Sequence, residues 1–273
     1  MASMSDRLNL GSTVSVDARP DAAIVLEDVW LKFRLRYYKR RNTLRGAAVA
    51  GLHSLLSSRR AERGDDFWAL RGLNLAISEG EVAGIVGQNG AGKSTLLRVI
   101  AGIYSPDRGR VVTRGSISTL LSFGAGFDVR RPGRENIYKN GILLGLNKER
   151  IDERMDAIVE MSGLGQFIDA PVMTYSSGMR ARLGFSIAIH VEPDILLIDE
   201  VVSAGDEKFR HRVGNIFDQF VDKGRTIVFV THSLALLEQY CSRAIWVDEG
   251  MVRLDGPPAD VAGEYVAASK SDS

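Results

Sequence analysis

Gly87-Gln88-Asn89-Gly90-Ala91-Gly92-Lys93-Ser94 is the stretch that decides how this chain folds. It fits G-x-x-x-x-G-K-[ST] at every fixed position. It follows the apolar run Val82–Val86 and opens a helix-forming segment, Lys93–Ala101. A glycine-rich turn with a surface lysine would need neither flank, whereas a phosphate-binding loop needs both. Small residues let the backbone wrap a polyphosphate with successive N–H groups pointing inward. The helix N-terminus adds a partial positive charge. Lys93 is expected to reach the β- and γ-phosphates of a nucleotide, Ser94 to ligate Mg²⁺, and Thr95 to sit near the α-phosphate.

Outward from this loop the pattern is strand, helix, strand. Ile24–Phe33 and Phe67–Ser78 alternate apolar residues and read as strands that pair antiparallel. Val111–Val112 and Ile117–Leu121 flank a turn at Arg114-Gly115. Pro132–Gly163 is helix-rich, with breaks near Gly145 and Gly163, and Ser176–His190 is a further helix. Ile195–Ile198, Ile227–Val230 and Ile245–Val247 read as buried strands separated by helices at Glu207–Val221 and Leu234–Tyr240. Such alternation predicts a parallel α/β core.

The strand Ile195–Ile198 ends in Asp199-Glu200. In a phosphate-binding-loop fold, a strand beside the loop strand is expected to aim an Asp at Mg²⁺. Asp199 takes that role, and Glu200 would polarise the attacking water as general base. Read alone, the pair is equally a strand capped by solvated acids.

Composition restricts the alternatives. The chain has 273 residues, 45% apolar and 25% charged, which excludes disordered, collagen-like and coiled-coil chains. The single cysteine, Cys241, excludes an internal disulfide and fits a reducing compartment. Residues 1–21 carry no apolar core of signal-peptide type and are expected to be flexible. The longest nearly uncharged stretch, Gly46–Ser57, is far short of a membrane span of roughly 20 residues. The net charge of +1 conceals a segregation. Ten basic residues and one acid, Glu62, lie between Lys32 and Arg63; removing that +9 from totals of 35 and 34 leaves 25 basic and 33 acidic residues, or −8.

The set of motifs resembles ABC-type ATPases. Tyr175-Ser176-Ser177-Gly178-Met179 resembles their signature sequence, Ser203-Ala204-Gly205-Asp206 their D-loop, and Val230-Thr231-His232-Ser233 their switch-histidine segment. All stand in that family's order from about Ala22 to Gly250. The resemblance implies an ABC nucleotide-binding domain at 22–268 with a RecA-like core, an antiparallel β subdomain and a helical subdomain at about 128–180. It implies ATP and Mg²⁺ as cofactors. It also implies a homodimer in which Tyr175, Ser176, Ser177, Gly178 and Asp206 of one copy face the ATP held by the other, closed as a C₂ pair. His232 would hydrogen-bond the γ-phosphate. Phe33, at the end of the first strand, is expected to stack on adenine, with Trp68 and Phe67 as competitors and core packing as the plain alternative.

Three departures narrow the family. Ser177 and Met179 replace the usual signature residues, Val201 stands where most cassettes have proline, and the Gln of the coupling loop is absent, with Ser122 its nearest substitute. Gly124–Phe127 and Gly133–Tyr138, with the unusual signature and D-loop, resemble the ATPases that export lipid-linked polysaccharides: O-antigen, teichoic acid, capsule and the mycobacterial galactan precursor. The resemblance implies a permease dimer in the membrane, a lipid-linked polysaccharide substrate, and a position at the cytoplasmic face of the cell membrane. A groove at Ser122–Asn136, lined by Phe123 and Phe127, would receive a short helix of the permease, unless these two are ordinary core residues. The basic insertion, 34–66, is either a solvated loop or a contact with anionic lipid, pyrophosphate or membrane surface; nucleic acid competes for such a patch but is not an expected partner. No C-terminal carbohydrate-binding domain is expected, and 269–273 should form a frayed tail. Two other readings are an ABC ATPase for another cargo and a soluble ABC ATPase acting on nucleic acid or ribosomes.

Overall fold

The computed structural model describes residues 21–35, 65–120, 126–199 and 207–271. Two sheets stack around the phosphate-binding loop. The first is antiparallel, in the order β2-β1-β4, from β1 (Ala22–Leu35), β2 (Asp65–Ser78) and β4 (Arg108–Thr113). The second has the order β5-β6-β7-β3-β8-β9: β3 (Val82–Val86), β5 (Ile117–Leu120), β6 (Ile195–Ile198), β7 (Thr226–Val230) and β8 (Arg243–Asp248) run parallel, and β9 (Met251–Gly256) runs antiparallel beside β8.

The burial of each strand follows from its residues. Val82–Val86, Ile195–Ile198 and Thr226–Val230 are buried at every position, as uninterrupted apolar strands covered on both faces must be. β1 packs Ile24, Leu26, Val29 and Leu31 against Leu70, Leu73, Leu75 and Ile77 of β2 and against Leu96, Leu97 and Ile100 of helix α1 (Lys93–Ile100). That shared core fixes α1, and with it the loop before it, between the two sheets.

A helical unit has its own core. Helices α2 (Gly133–Leu143), α3 (Lys148–Ser162) and α4 (Ser177–His190) bury Ile137, Ile151, Ile158, Ile168, Val172 and Leu183 together. Asn147 caps α3, its side chain accepting from the Arg150 N–H, and Gly163 ends it at φ 61; such a cap is worth about 1 kcal/mol. α4 belongs to both halves. Leu183 and Ile187 face the helical core, while Phe185, Ala188 and Ile189 join α5 (Glu207–Asp222) over the parallel sheet. α6 (Leu234–Tyr240) follows β7.

Two elements lie beyond the sequence pattern. β9 alternates exposure too weakly to announce itself, and α7 (Pro258–Ser271) packs Val261 and Ala262 against Trp246 and Leu254. The tail expected to fray from Ser269 is therefore helical to Ser271, where the Ser269 hydroxyl donates to the Tyr265 carbonyl at 2.8 Å.

One ionic cluster ties the sheets together. Arg243 of β8 donates bidentately to Asp255 of β9 at 2.5 and 2.5 Å, to Glu81 before β3 at 3.2 Å, and to the Ala76 carbonyl of β2 at 2.9 Å. The Asp255 carboxylate pushes the Arg243 guanidinium further above its already high ordinary value, against the opposing effect of burial.

Among the described residues no helix is long and apolar enough to cross a membrane.

Candidate functional site

The parallel strands β3, β6 and β7 release the sequence-predicted site residues at one edge. β3 ends at Val86 and passes into Gly87. Ile85 is level with Val230 of β7, and Phe229 of β7 is level with Ile198 of β6. His232 therefore leaves the sheet level with Gly87, and Asp199 two residue steps before it, at the carboxyl ends of the strands, where open α/β sheets bind ligands. The expectation that the Asp199 strand lies beside the loop strand is corrected: β7 stands between β6 and β3. At about 4.8 Å per strand the two are about 10 Å apart, a gap that a metal ion with its waters and a phosphate can span.

The loop is built as a cradle. Gln88, Asn89 and Gly90 are exposed, while Ala91 and Lys93 are each 6% exposed. The Lys93 ammonium donates to the Gly87 carbonyl at 2.6 Å and the Gln88 carbonyl at 2.8 Å, which holds the loop in a ring around it. Gly92 starts α1 at φ 104, and no side chain caps this helix. The first turn of α1 thus presents its N–H groups and positive dipole end toward the loop. Ser94 and Thr95, both half-buried, occupy that first turn.

The residues backing the loop were not singled out from sequence. A Cβ on Gly92 would lie 2.7 Å from the Ala69 carbonyl oxygen, and one on Gly250 would lie 2.6 Å from the same atom. The Gly250 N–H donates to the Ala91 carbonyl and the Arg71 N–H to the Gly250 carbonyl, both at 2.9 Å. Three backbones, from β2, the loop and the β8–β9 turn, meet without side chains between them. The turn at Asp248-Glu249-Gly250 was the signal available in the sequence.

The signature segment divides. Ser176 is the N-cap of α4, its hydroxyl oxygen accepting from the Met179 N–H at 3.2 Å; Ser176 and Ser177 are exposed and Gly178 is half-buried. Tyr175 does not belong with them. It is 4% exposed, and its hydroxyl donates to the Phe167 carbonyl at 2.6 Å. Its assignment to the nucleotide surface is corrected, because its ring fills the core of the helical unit.

The aromatic candidates separate by face. Phe33 is half-buried on the core side, edge-on to Tyr104 at 5.6 Å and in register with Phe67, which is 45% exposed. Trp68 meets Trp30 edge-on at 5.5 Å and lies under the cations of Lys32 and Arg108, 5.6 and 5.8 Å away. Phe127 is partly buried against the helical core, which favours the packing alternative for it.

Glu200, Asp206 and Ser122 lie outside the described residues, as do Phe123, the rest of the D-loop and residues 36–64 of the basic insertion. His232 is exposed at the end of β7, and Asp199 is 9% exposed at the end of β6.

The donor chemistry suits Mg²⁺. Ser94 and Asp199 offer one hydroxyl and one carboxylate, hard oxygen donors of the kind Mg²⁺ takes when it keeps waters and shares a substrate's phosphates. Among the described residues no group of three or more His, Cys, Asp or Glu forms a separate metal cage.

Comparison with known proteins gives the same picture. The sequence model of the ABC transporter family matches residues 70–203. The chain is 47% identical over 247 residues to the O-antigen export system ATP-binding protein RfbB of Myxococcus xanthus, covering 89% of this chain and 55% of that protein. It therefore spans about half the length of that relative. It is 43% identical to the protein of the same description from Klebsiella pneumoniae, covering 76% of this chain and 84% of that one. With the teichoic acids export ATP-binding protein TagH of Lactococcus lactis the identity is 44%, over 73% and 43% of the two chains. The fold superposes on the ATP-binding cassette MJ0796, solved as a dimer in a post-hydrolysis state bound to ADP and Pi, with a TM-score of 0.67 at 21% identity, covering 86% of this chain and 98% of that one.

Proposed function

This chain belongs to the ABC transporter family, and we propose that it is the ATP-hydrolysing subunit of an exporter that drives a lipid-linked polysaccharide across the cytoplasmic membrane. The observation that carries the reading is the likeness to the Klebsiella O-antigen export protein over 84% of that protein's length. The convergence of Lys93, Ser94, Asp199 and His232 on one sheet edge supplies the chemistry. A galactan is the specific cargo proposed from the sequence resemblance, and an ABC ATPase for another cargo is the alternative.

The mechanism follows from the residues. The backbone N–H groups of Gly90–Ser94 and the Lys93 ammonium bind and orient the β- and γ-phosphates. Ser94 and Asp199 would hold Mg²⁺, which when bound neutralises phosphate charge. Glu200 takes the proton of the attacking water, and His232 donates to the γ-phosphate. Ser176, Ser177 and Gly178 approach from a second copy, so the closed pair has contacts that exist only with the γ-phosphate present. That differential affinity is what lets ATP shift the pair toward closure. The solved dimer of a cassette with this fold supports the pairing. Closure acts on an integral-membrane permease, which would hold the chain at the cytoplasmic face. The basic insertion faces anionic headgroups or the pyrophosphate of the cargo, at about 1 kcal/mol for each cation near the surface.

The test is co-purification of the full chain with membrane proteins from its source cell, followed by ATPase assays with defined lipid-linked glycans in proteoliposomes. Stimulation by a polyprenyl-pyrophosphate glycan is expected. Co-purification without stimulation by any such glycan would leave the other-cargo reading in its place.

A further inference from the structure

Two stretches far apart in sequence are tied into one piece beside the signature. The loop 126–132 follows the coupling segment, and 171–175 runs directly into Ser176. The Val172 N–H donates to the Arg131 carbonyl at 3.0 Å and the Met173 N–H to the Val129 carbonyl at 2.7 Å. Pro132 and Pro171 form an antiparallel bridge beside them.

Asn136 locks this joint from inside. It is 0% exposed, yet its amide is fully used. Oδ1 accepts from the Asp128 N–H at 2.7 Å. The Nδ2 hydrogens point to the carbonyls of Asp128, Pro132 and Arg131 at 3.0, 2.9 and 3.3 Å. Only a side-chain amide offers an acceptor and two donors in so small a volume. Tyr175 closes the other side. Its hydroxyl, bonded to the Phe167 carbonyl, lies so near the backbone that a Cβ on Gly133 would be 2.4 Å away. Burial pushes the Tyr175 phenol upward, which keeps it a donor. The next residue, Ser176, is the N-cap of α4.

We propose that Asn136 and Tyr175 are positioning residues that make 128–132 and 171–175 a single strut, so that a displacement of the permease-facing loop is delivered to Ser176 at the N-terminus of α4. The inference rests on the proposed function, in which Ser176 meets the γ-phosphate held by the partner copy. A purely stabilising role for the same bonds makes a different forecast: lower stability, with turnover per folded molecule unchanged.

The test uses the full chain with Asn136→Asp and Tyr175→Phe. The first keeps the acceptor for the Asp128 N–H and turns the donor amide into a second acceptor facing three carbonyls. The second keeps the ring and removes only the hydroxyl. Turnover at saturating ATP, affinity for a fluorescent ATP analogue, and hydrogen exchange at the amides of Val172, Met173 and Met179 are measured on each. For Asn136→Asp, kcat should fall about tenfold or more, as expected for a misplaced reacting element. Affinity at the loop should stay within about twofold, since the lost contact acts only in turnover. Exchange should quicken at all three amides. If Asn136→Asp fails to fold, Tyr175→Phe decides by the same pattern at smaller amplitude. Unchanged kcat, exchange at Met179 that stays at the wild-type rate, or affinity that falls in step with kcat would each overturn the strut. A wild-type chain that hydrolyses no ATP would instead overturn the proposed function.

Discussion

Gly90 and Gly92 stand two residues apart in the phosphate-binding loop, yet a methyl group added at each should act very differently. Both have positive φ, +85 and +104. An alanine at either therefore incurs the left-handed conformational penalty of about 1–2 kcal/mol. There the likeness ends. A Cβ on Gly90 meets nothing within 4 Å, whereas one on Gly92 lies 2.7 Å from the Ala69 carbonyl oxygen and 3.5 Å from the Gly250 Cα. Ala69 sits at a break in the β1–β2 register, but its neighbours Trp68 and Leu70 are paired with Lys32 and Leu31, and these hold it from both sides. Forcing a methyl into such packing adds about 1–3 kcal/mol, so Gly92→Ala should lose about 2–5 kcal/mol in all. At about 2–4 °C per kcal/mol for a chain of this size, Gly90→Ala should melt within about 8 °C of wild type and Gly92→Ala well below it. Gly250→Ala approaches the same carbonyl from the other side, at 2.6 Å and φ +79, and should resemble Gly92→Ala. Guanidinium unfolding monitored by tryptophan fluorescence, with thermal melts, measures all three. Equal shifts for Gly90→Ala and Gly92→Ala would refute the claim that the three-backbone junction fixes the loop.

Two further outcomes follow from the ionic contacts. Asp255→Ala leaves the Arg243 guanidinium, 21% exposed, facing only Glu81 and the Ala76 carbonyl. It should lower the unfolding free energy by about 3–5 kcal/mol, as for a broken buried pair, and an unchanged denaturation midpoint would contradict this. The Ser116 N–H and hydroxyl, with Arg225, hold the Asp194 carboxyl below its ordinary value of 3.8. A depressed folded value adds stability that is present above the unfolded value and lost as pH falls through the folded one. Asp194→Asn should therefore be less stable than wild type at pH 7, with the gap narrowing as pH falls below about 4; a gap that does not narrow on acidification would rule the carboxylate out as its source.

The fold was legible where the residues act locally. Val82–Val86, Ile195–Ile198 and Leu234–Tyr240 have the bounds their apolar runs predict, because a fully buried strand or a capped helix carries its own signal. Ser176 was readable as a helix start for the same reason: its hydroxyl accepts from the N–H three residues on, as that of Ser233 does at the start of α6. What stayed hidden is set by distant partners. Nothing in Ile195–Asp199 says that β7 will enter between it and β3, since strand order depends on how the crossovers pack. Tyr175 looked like part of the signature because of its sequence neighbours, but its environment is Phe167 and Gly133, reached through the fold. The roles of Ala69 and Gly250 are backbone contacts that leave no side-chain pattern. β9 and α7 are weakly patterned elements, held by Trp246, Leu254 and the Arg243–Asp255 pair rather than by their own periodicity.

The central claim is that two copies of this chain close on ATP and that Glu200, just beyond Asp199 at the end of β6, opens them again by hydrolysis. Glu200→Gln tests it most directly, by light scattering of the purified chain with and without Mg²⁺-ATP alongside phosphate release. Turnover should drop by about a hundredfold or more, the scale of a lost general base, while ATP converts the variant to a lasting dimer. Hydrolysis at the wild-type rate, or a variant that binds ATP and remains monomeric, would contradict the account.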